Sequence, residues 1–141
     1  MKMSAFIAFF IFFSSFTIQV NNSEKELFVV ITSADSETQM MAMVLATQSV
    51  NQDVKVRILL CGEAGNLAIT GYNSPAFAPS GRAPGQLLAG LLERGITVEV
   101  CGIFLPNRDF TDSDLISGVS IASPPEIAAY MMQEHVRYFT F

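Results

Sequence analysis

The sequence predicts an α/β fold: one doubly wound domain in which a five-stranded, mainly parallel sheet carries helices on both faces. Three observations predict it. Five short runs of strand character alternate with segments of helical spacing. The connections between the runs are long enough for the crossovers that parallel strands require. Hydrophobic residues make up 50% of the 141 and charged residues 15%, which suits one core of moderate size and leaves no second domain. With 9 Gly, 6 Pro and 2 Cys, the composition excludes a disordered chain, a collagen-like repeat and a disulfide-stapled miniprotein.

The predicted domain spans residues 21–141. Ahead of it, Lys2 precedes the apolar run from Ser4 to Phe13, and Ser14, Ser15 and Thr17 lead into polar Asn21-Asn22-Ser23-Glu24-Lys25. A basic start, an apolar middle and a polar exit read as a secretory signal over residues 1–20. The alternative is an uncleaved membrane anchor, because the stretch from Met3 to Val20 reaches the lower limit for a span, although Ser14, Ser15 and Gln19 interrupt it. The expectation is therefore an exported protein, periplasmic or secreted, that meets a membrane only if this segment stays attached. Asn21-Asn22-Ser23 matches a glycosylation sequon but reads as a polar leader. The formal charge is −5, and loss of the segment removes one cation, leaving seven against thirteen acids. Such a surface has no footprint for a phosphate backbone, so nucleic acid is not an expected partner.

Leu27–Thr32 is a continuous apolar run, too short for a helix and rich in β-branched and aromatic residues, as a strand covered on both faces should be. Ser33 to Glu37 reads as a polar turn. A helix is predicted over Thr38–Val50, with Met40, Met41, Val44 and Leu45 as its core stripe. The second strand, Val54–Cys61, alternates: Val54, Val56, Ile58 and Leu60 share one face, Lys55, Arg57, Leu59 and Cys61 the other. Gly62 to Gly71 has room for a helical turn or two. Gly71 to Gly85 collects three prolines and three glycines in a loop long enough to be a lid or a binding element.

Pro84–Arg94 restores helical spacing through Leu87, Leu88, Leu91 and Leu92, with Gly95 as its stop. Ile96–Cys101 is the third strand. Thr111–Ser117 is expected to form a short helix and Gly118–Ala122 a fourth strand. Ser123-Pro124-Pro125-Glu126 reads as a capping box that opens a helix over Ile127, Ala128, Tyr130 and Met131. Val136–Phe141 closes the chain as the fifth strand.

Open parallel sheets gather their chemistry at the carboxyl ends of the strands. Cys61 and Cys101 each end a strand, and each is followed by Gly. Cys101 shares a face with Glu99, and Cys61 with Lys55 and Arg57. If the two strands are neighbours, the charges pair across the ladder and the sulfurs approach one another. Either cysteine is a small buried hydrophobe or a reactive thiol, with Cys101 the stronger candidate. An oxidising compartment permits a disulfide between them, but neighbouring strand ends seldom supply its dihedral, so both thiols are expected free at rest.

One His and two Cys do not make up a metal-ligand set, and no metal is expected. Gly62-Glu63-Ala64-Gly65 lacks the third glycine and the acidic partner of a dinucleotide site, so no cofactor is expected. His135 reads as a surface residue. The chain shows no Ser-His-Asp arrangement, nucleophile elbow or phosphate loop.

Taken together, the leucine-rich helix Leu87-Leu88-Ala89-Gly90-Leu91-Leu92, the Gly95 turn, the strand ending Val98-Glu99-Val100-Cys101, the unit from Gly118 through Ser123-Pro124-Pro125-Glu126 to Tyr130, and the closing Phe139-Thr140-Phe141 resemble the DsrE/DsrF-like family. The resemblance runs from about Glu26 to Phe141. It implies a Rossmann-like three-layer α/β/α fold, association into trimers or hexamers, and sulfurtransferase-like transfer of sulfane sulfur as a persulfide on one cysteine. The family's sulfur-carrying position falls on Cys101. It also implies a sulfur-donor or sulfur-acceptor protein as partner.

This chain departs from the relay members in its exported compartment and in Pro106-Asn107-Arg108, where they carry a small-residue helical stretch. Asn107 and Arg108 are weaker binding candidates. Arg108, and a helix beginning near Thr111 and Asp112, are expected to favour the sulfur anion. The alternative reading is a non-catalytic oligomeric module in which the Gly71–Gly85 loop recognises a ligand or protein and the cysteines are structural.

Overall fold

The computed structural model of the chain describes residues 25–141. Its elements run in the order β1 (Glu26–Ile31), α1 (Ser36–Val50), β2 (Lys55–Leu60), a 3-10 segment (Gly62–Ala68), α2 (Pro84–Glu93), β3 (Thr97–Val100), β4 (Val119–Ile121), α3 (Pro124–Met131) and β5 (Val136–Thr140). The five strands form one sheet in the order β4-β3-β2-β1-β5, and every pairing is parallel. The predicted signal or anchor and the sequon lie outside the described residues. Among the described residues no helix is long and apolar enough to cross a membrane.

The handedness of crossovers explains which helix covers which face. From β1 to β4 the chain steps across the sheet in one direction, and right-handed connections put α1 and α2 on the same side. The step from β4 back to β5 runs the opposite way and carries α3 over the other face. The alternation along each strand then feeds two cores. Val29 and Ile31, Val56, Ile58 and Leu60, and Val98 and Val100 meet α1 and α2 in the large core. Phe28 and Leu59 meet Ile127 and Tyr130 of α3 in a smaller one.

The register is fixed by this pattern, because a one-residue slip would turn every buried side chain outward. β1 and β2 pair with Val29 opposite Ile58, and β2 and β3 with Leu60 opposite Val100.

Three local expectations are corrected. The first concerns α1, which starts at Ser36 because Asp35 caps it, its side chain accepting from the Thr38 amide at 2.7 Å. The helix buries Gln39, Ala42, Met43 and Ala46, whereas Met41 and Leu45 of the expected stripe are 55% and 45% exposed. Ala42 and Ala46 face the core beside Met43, while Met41 and Leu45 turn outward.

The second concerns Thr111–Ser117, which holds only one 3-10 turn, Asp112–Asp114. The chain extends after it so that Leu115 bridges Ile69 and the Ile116 amide reaches the Ala68 carbonyl at 2.8 Å. The third is the capping box: the Ser123 side chain makes no cap hydrogen bond. Pro124 and Pro125 fill the first two helical positions and have no N–H, so little is left for a cap to satisfy.

Candidate functional site

The topology creates one crevice. The chain leaving β3 passes to the α1/α2 side and the chain leaving β4 passes to the α3 side, so the two connections diverge at the carboxyl ends of neighbouring strands. This is a topological switch point, the place where open α/β sheets bind ligands. Cys101 stands there, directly after β3. A groove of about 240 Å³ opens beside it, lined by Leu59, Cys101, Gly102, Ala122 and Pro124, with Ile127, Ala128 and Met131 of α3 as its wall. Gly102 is needed for the close approach of the two connections, because a Cβ there would lie 3.1 Å from the Ala122 carbonyl oxygen.

Cys61 follows β2 and is the immediate neighbour. Leu60 pairs with Val100, so continuing the register sets Cys61 opposite Cys101. Amide bonds hold both positions: Cys61 N–H donates to the Ile31 carbonyl at 2.8 Å and Cys101 N–H to the Leu60 carbonyl at 2.8 Å. Both cysteines are free and half-buried. Cys61 packs against the smaller core and Cys101 against the larger one, so the pair marks the seam between the two layers. Burial pushes the Cys61 thiol up to about 12, and the neighbouring Cys101 side chain adds to it. Cys61 therefore keeps its proton at neutral pH.

Charges do pair across the ladder, as their parity predicts. The Arg57 guanidinium binds the Glu99 carboxylate through Nε at 2.6 Å and Nη2 at 2.9 Å, and this bidentate bond holds the guanidinium above its usual range. Arg57 also lies over the Tyr130 ring, 4.7 Å from its centroid.

Arg108 is committed elsewhere. Its Nη2 donates to Glu63 Oε1 at 2.8 Å, its guanidinium stacks 4.6 Å from the Phe104 ring centroid, and this bond holds the Glu63 carboxyl below its ordinary range. Asn107 donates to the Ile103 carbonyl at 2.8 Å and closes the turn after Cys101. The 3-10 turn at Asp112–Asp114 presents two carboxylates, and Asp114 is used to accept from Thr111 N–H and Oγ1. Arg108 and Asp114 thus spend their hydrogen bonds on Glu63 and Thr111. Of the predicted residues the structure brings Cys61 and Cys101 together, and it places Asn107 and Arg108 in the supporting loop.

The long loop lies against α1 rather than in this groove: Phe77, Ala78, Pro79 and Ser80 line a separate groove of about 320 Å³ with Glu37, Met40, Met41 and Val44. A cavity of about 400 Å³ opens at the amino end of the sheet between Glu26, Lys55, Arg57 and Tyr130. Its polar groups satisfy one another. Tyr130 donates to Glu26 Oε2 at 2.9 Å, Lys55 and His135 approach Glu26 Oε1 at 3.7 and 3.8 Å, and Arg57 is held by Glu99. The sequence offered no sign of the Tyr130–Glu26 bond, which joins residues 104 apart. Among the described residues no three metal-ligating side chains converge.

The DsrE/DsrF-like family model matches residues 25–141. The chain belongs to the DsrE/DsrF-like family. The crystal structure of the ychN protein of E. coli superposes with a TM-score of 0.70 at 22% identity, over 83% of this chain and 99% of that one. The structure of MTH1491 from Methanobacterium thermoautotrophicum superposes with a TM-score of 0.58 at 16% identity, over 83% and 98% of the two chains. Both likenesses concern the fold. In sequence, the chain is 25% identical over 114 residues to the uncharacterized protein MJ0760 of Methanocaldococcus jannaschii, a match that takes in 79% of this chain and 42% of that longer protein.

Proposed function

We propose that this protein is a sulfur carrier that holds sulfane sulfur as a persulfide on Cys101. The observation that carries the reading is the place of Cys101: half-buried, at the switch point, on the wall of an open apolar groove. In the loading step the Cys101 thiolate attacks the outer sulfur of a donor persulfide. The new S–S bond forms as the donor's own S–S bond breaks, and the donor leaves as its thiolate. Unloading is the same exchange on an acceptor thiolate. The apolar lining from Leu59, Ala122 and Ile127 limits access of water and oxidants to the bound sulfur.

The donor and acceptor are proteins whose cysteine-bearing segments fit the groove, and the carrier works as a homo-oligomer, a trimer or hexamer. Exposed apolar side chains support the assembly: Tyr138 and Phe139 on edge strand β5 are each 55% exposed, and Met132 after α3 is 83% exposed. The apolar segment ahead of the domain supports export.

Thiol labelling of the native protein tests the carrier against an inert module. Cys101 should react with iodoacetamide in the folded state. Labelling of Cys101 only after unfolding would make it a structural residue.

A further inference from the structure

We propose that Cys61 is a resolving thiol, which attacks the inner sulfur of a Cys101 persulfide, closes a Cys61–Cys101 disulfide and releases the outer sulfur as hydrosulfide. The inference rests on the reading of Cys101 as the sulfur carrier and adds a second fate for the cargo: besides hand-over to an acceptor, discharge as sulfide by the chain itself.

Geometry carries it. β2 and β3 are hydrogen-bonded parallel neighbours, and Cys61 and Cys101 occupy the register position directly after Leu60 and Val100. Neighbouring strands lie about 4.8 Å apart. That spacing falls within the range of about 4.4–6.8 Å that a disulfide spans between Cα atoms. The Cys101 amide is tied to the Leu60 carbonyl, so the backbones at this point cannot drift apart without breaking the ladder. The two thiols are close enough that the Cys101 side chain helps to raise the Cys61 thiol. Cys61 sits on the seam beside the groove rather than deep in either core.

The step balances without an outside reagent. A Cys101 persulfide anion and the Cys61 thiol give the Cys61–Cys101 disulfide and HS⁻. The Cys61 Sγ forms the new bond to Cys101 Sγ. The bond from Cys101 Sγ to the outer sulfur breaks, and its electron pair leaves on the outer sulfur. The proton of Cys61 goes with it. The cysteine pair is oxidised, and the outer sulfur is reduced to sulfide.

The same surroundings time the step. Thiol exchange runs through the thiolate. Because Cys61 holds its proton at neutral pH, a loaded Cys101 persists long enough to meet an acceptor, and discharge is the slower route.

The test uses wild type, Cys61→Ser and Cys101→Ser, each loaded with inorganic polysulfide, desalted and followed in time by sulfide trapping and by intact mass after alkylation. Wild type should release one sulfide per chain and end two hydrogens lighter than the dithiol, with no cysteine left to alkylate. Cys61→Ser should keep its added sulfur and release none over the same period, and Cys61→Ala serves if the serine variant does not fold. Wild type that retains its added sulfur as long as Cys61→Ser, or carries it on Cys61, would overturn the inference while leaving the carrier reading in place. Folded Cys61→Ser and Cys61→Ala that take up no sulfur would refute the carrier reading itself, and the inference would fall with it.

Discussion

Replacing Glu99 with Gln tests how far the sheet depends on the bidentate Arg57–Glu99 ion pair. The Glu99 side chain is 7% exposed and that of Arg57 20%, and two hydrogen bonds join them at 2.6 and 2.9 Å. A fully buried pair broken at one partner costs about 3–5 kcal/mol. Here the fifth of Arg57 that meets solvent, and the cavity beside it lined by Glu26 and Tyr130, let the guanidinium recover some hydration. The cost should therefore be about 2–3 kcal/mol, since one acceptor is lost and an amide N–H₂ now faces a cation. For a domain of this size that is a fall of about 8–12 °C in melting temperature. Urea melts of wild type, Glu99→Gln, Arg57→Met and the double variant Arg57→Met/Glu99→Leu measure it. The double variant should lie within about 1 kcal/mol of wild type, because two apolar side chains leave no orphaned charge. A cost for Glu99→Gln below about 0.5 kcal/mol, or a double variant whose loss equals the sum of the single losses, would refute the reasoning.

Three further outcomes are expected. Gly65→Ala places a methyl into the Phe104 ring, which is 1% exposed, so it should cost about 1–3 kcal/mol by chemical denaturation and alter labelling of Cys101, whose carbonyl accepts from the Phe104 amide. Asp35→Ala should lower the melting temperature at neutral pH. The Thr38 amide holds the Asp35 carboxyl below its ordinary range, so this contribution disappears as pH falls through that lowered value and the two melting curves converge in acid. Tyr130 is pushed up to about 12, first by burial and then by its bond to Glu26, so the wild-type minus Tyr130→Phe difference spectrum should show no phenolate until pH nears that value. Over the same interval the folded state keeps a proton that the unfolded chain releases, so stability falls as pH rises past the usual tyrosine range.

Much of this fold was legible because strand signals in a parallel sheet are strong and local. Leu27–Thr32 and Val54–Cys61 announce themselves by apolar content and by period-two alternation. The parity of Arg57 and Glu99 anticipated their pairing, and that of Cys61 and Cys101 their approach.

Helix faces were harder to read. α1 buries Ala42 and Ala46, small residues that carry little hydrophobic signal, together with Gln39, whose amide donates to the Ser33 carbonyl at 2.8 Å. Of the helix's four buried residues only Met43 is large and apolar, too little to mark the face. The site was half legible. Strand ends mark Cys61 and Cys101, but the commitment of Arg108 to Glu63 joins residues 45 apart. Likewise the turn at Asp112–Asp114 gives way to extended chain only because Ile69 and Ala68 stand ready to pair with it. Such contacts depend on the assembled fold rather than on local sequence.

The most direct measurement of the central claim is intact mass of the folded domain after brief exposure to cysteine persulfide. The account predicts that wild type and Cys61→Ser, sampled early, each gain one sulfur atom, that dithiothreitol removes it, and that Cys101→Ser gains none. Equal uptake by Cys101→Ser and wild type, or no uptake by a folded wild type, would contradict it.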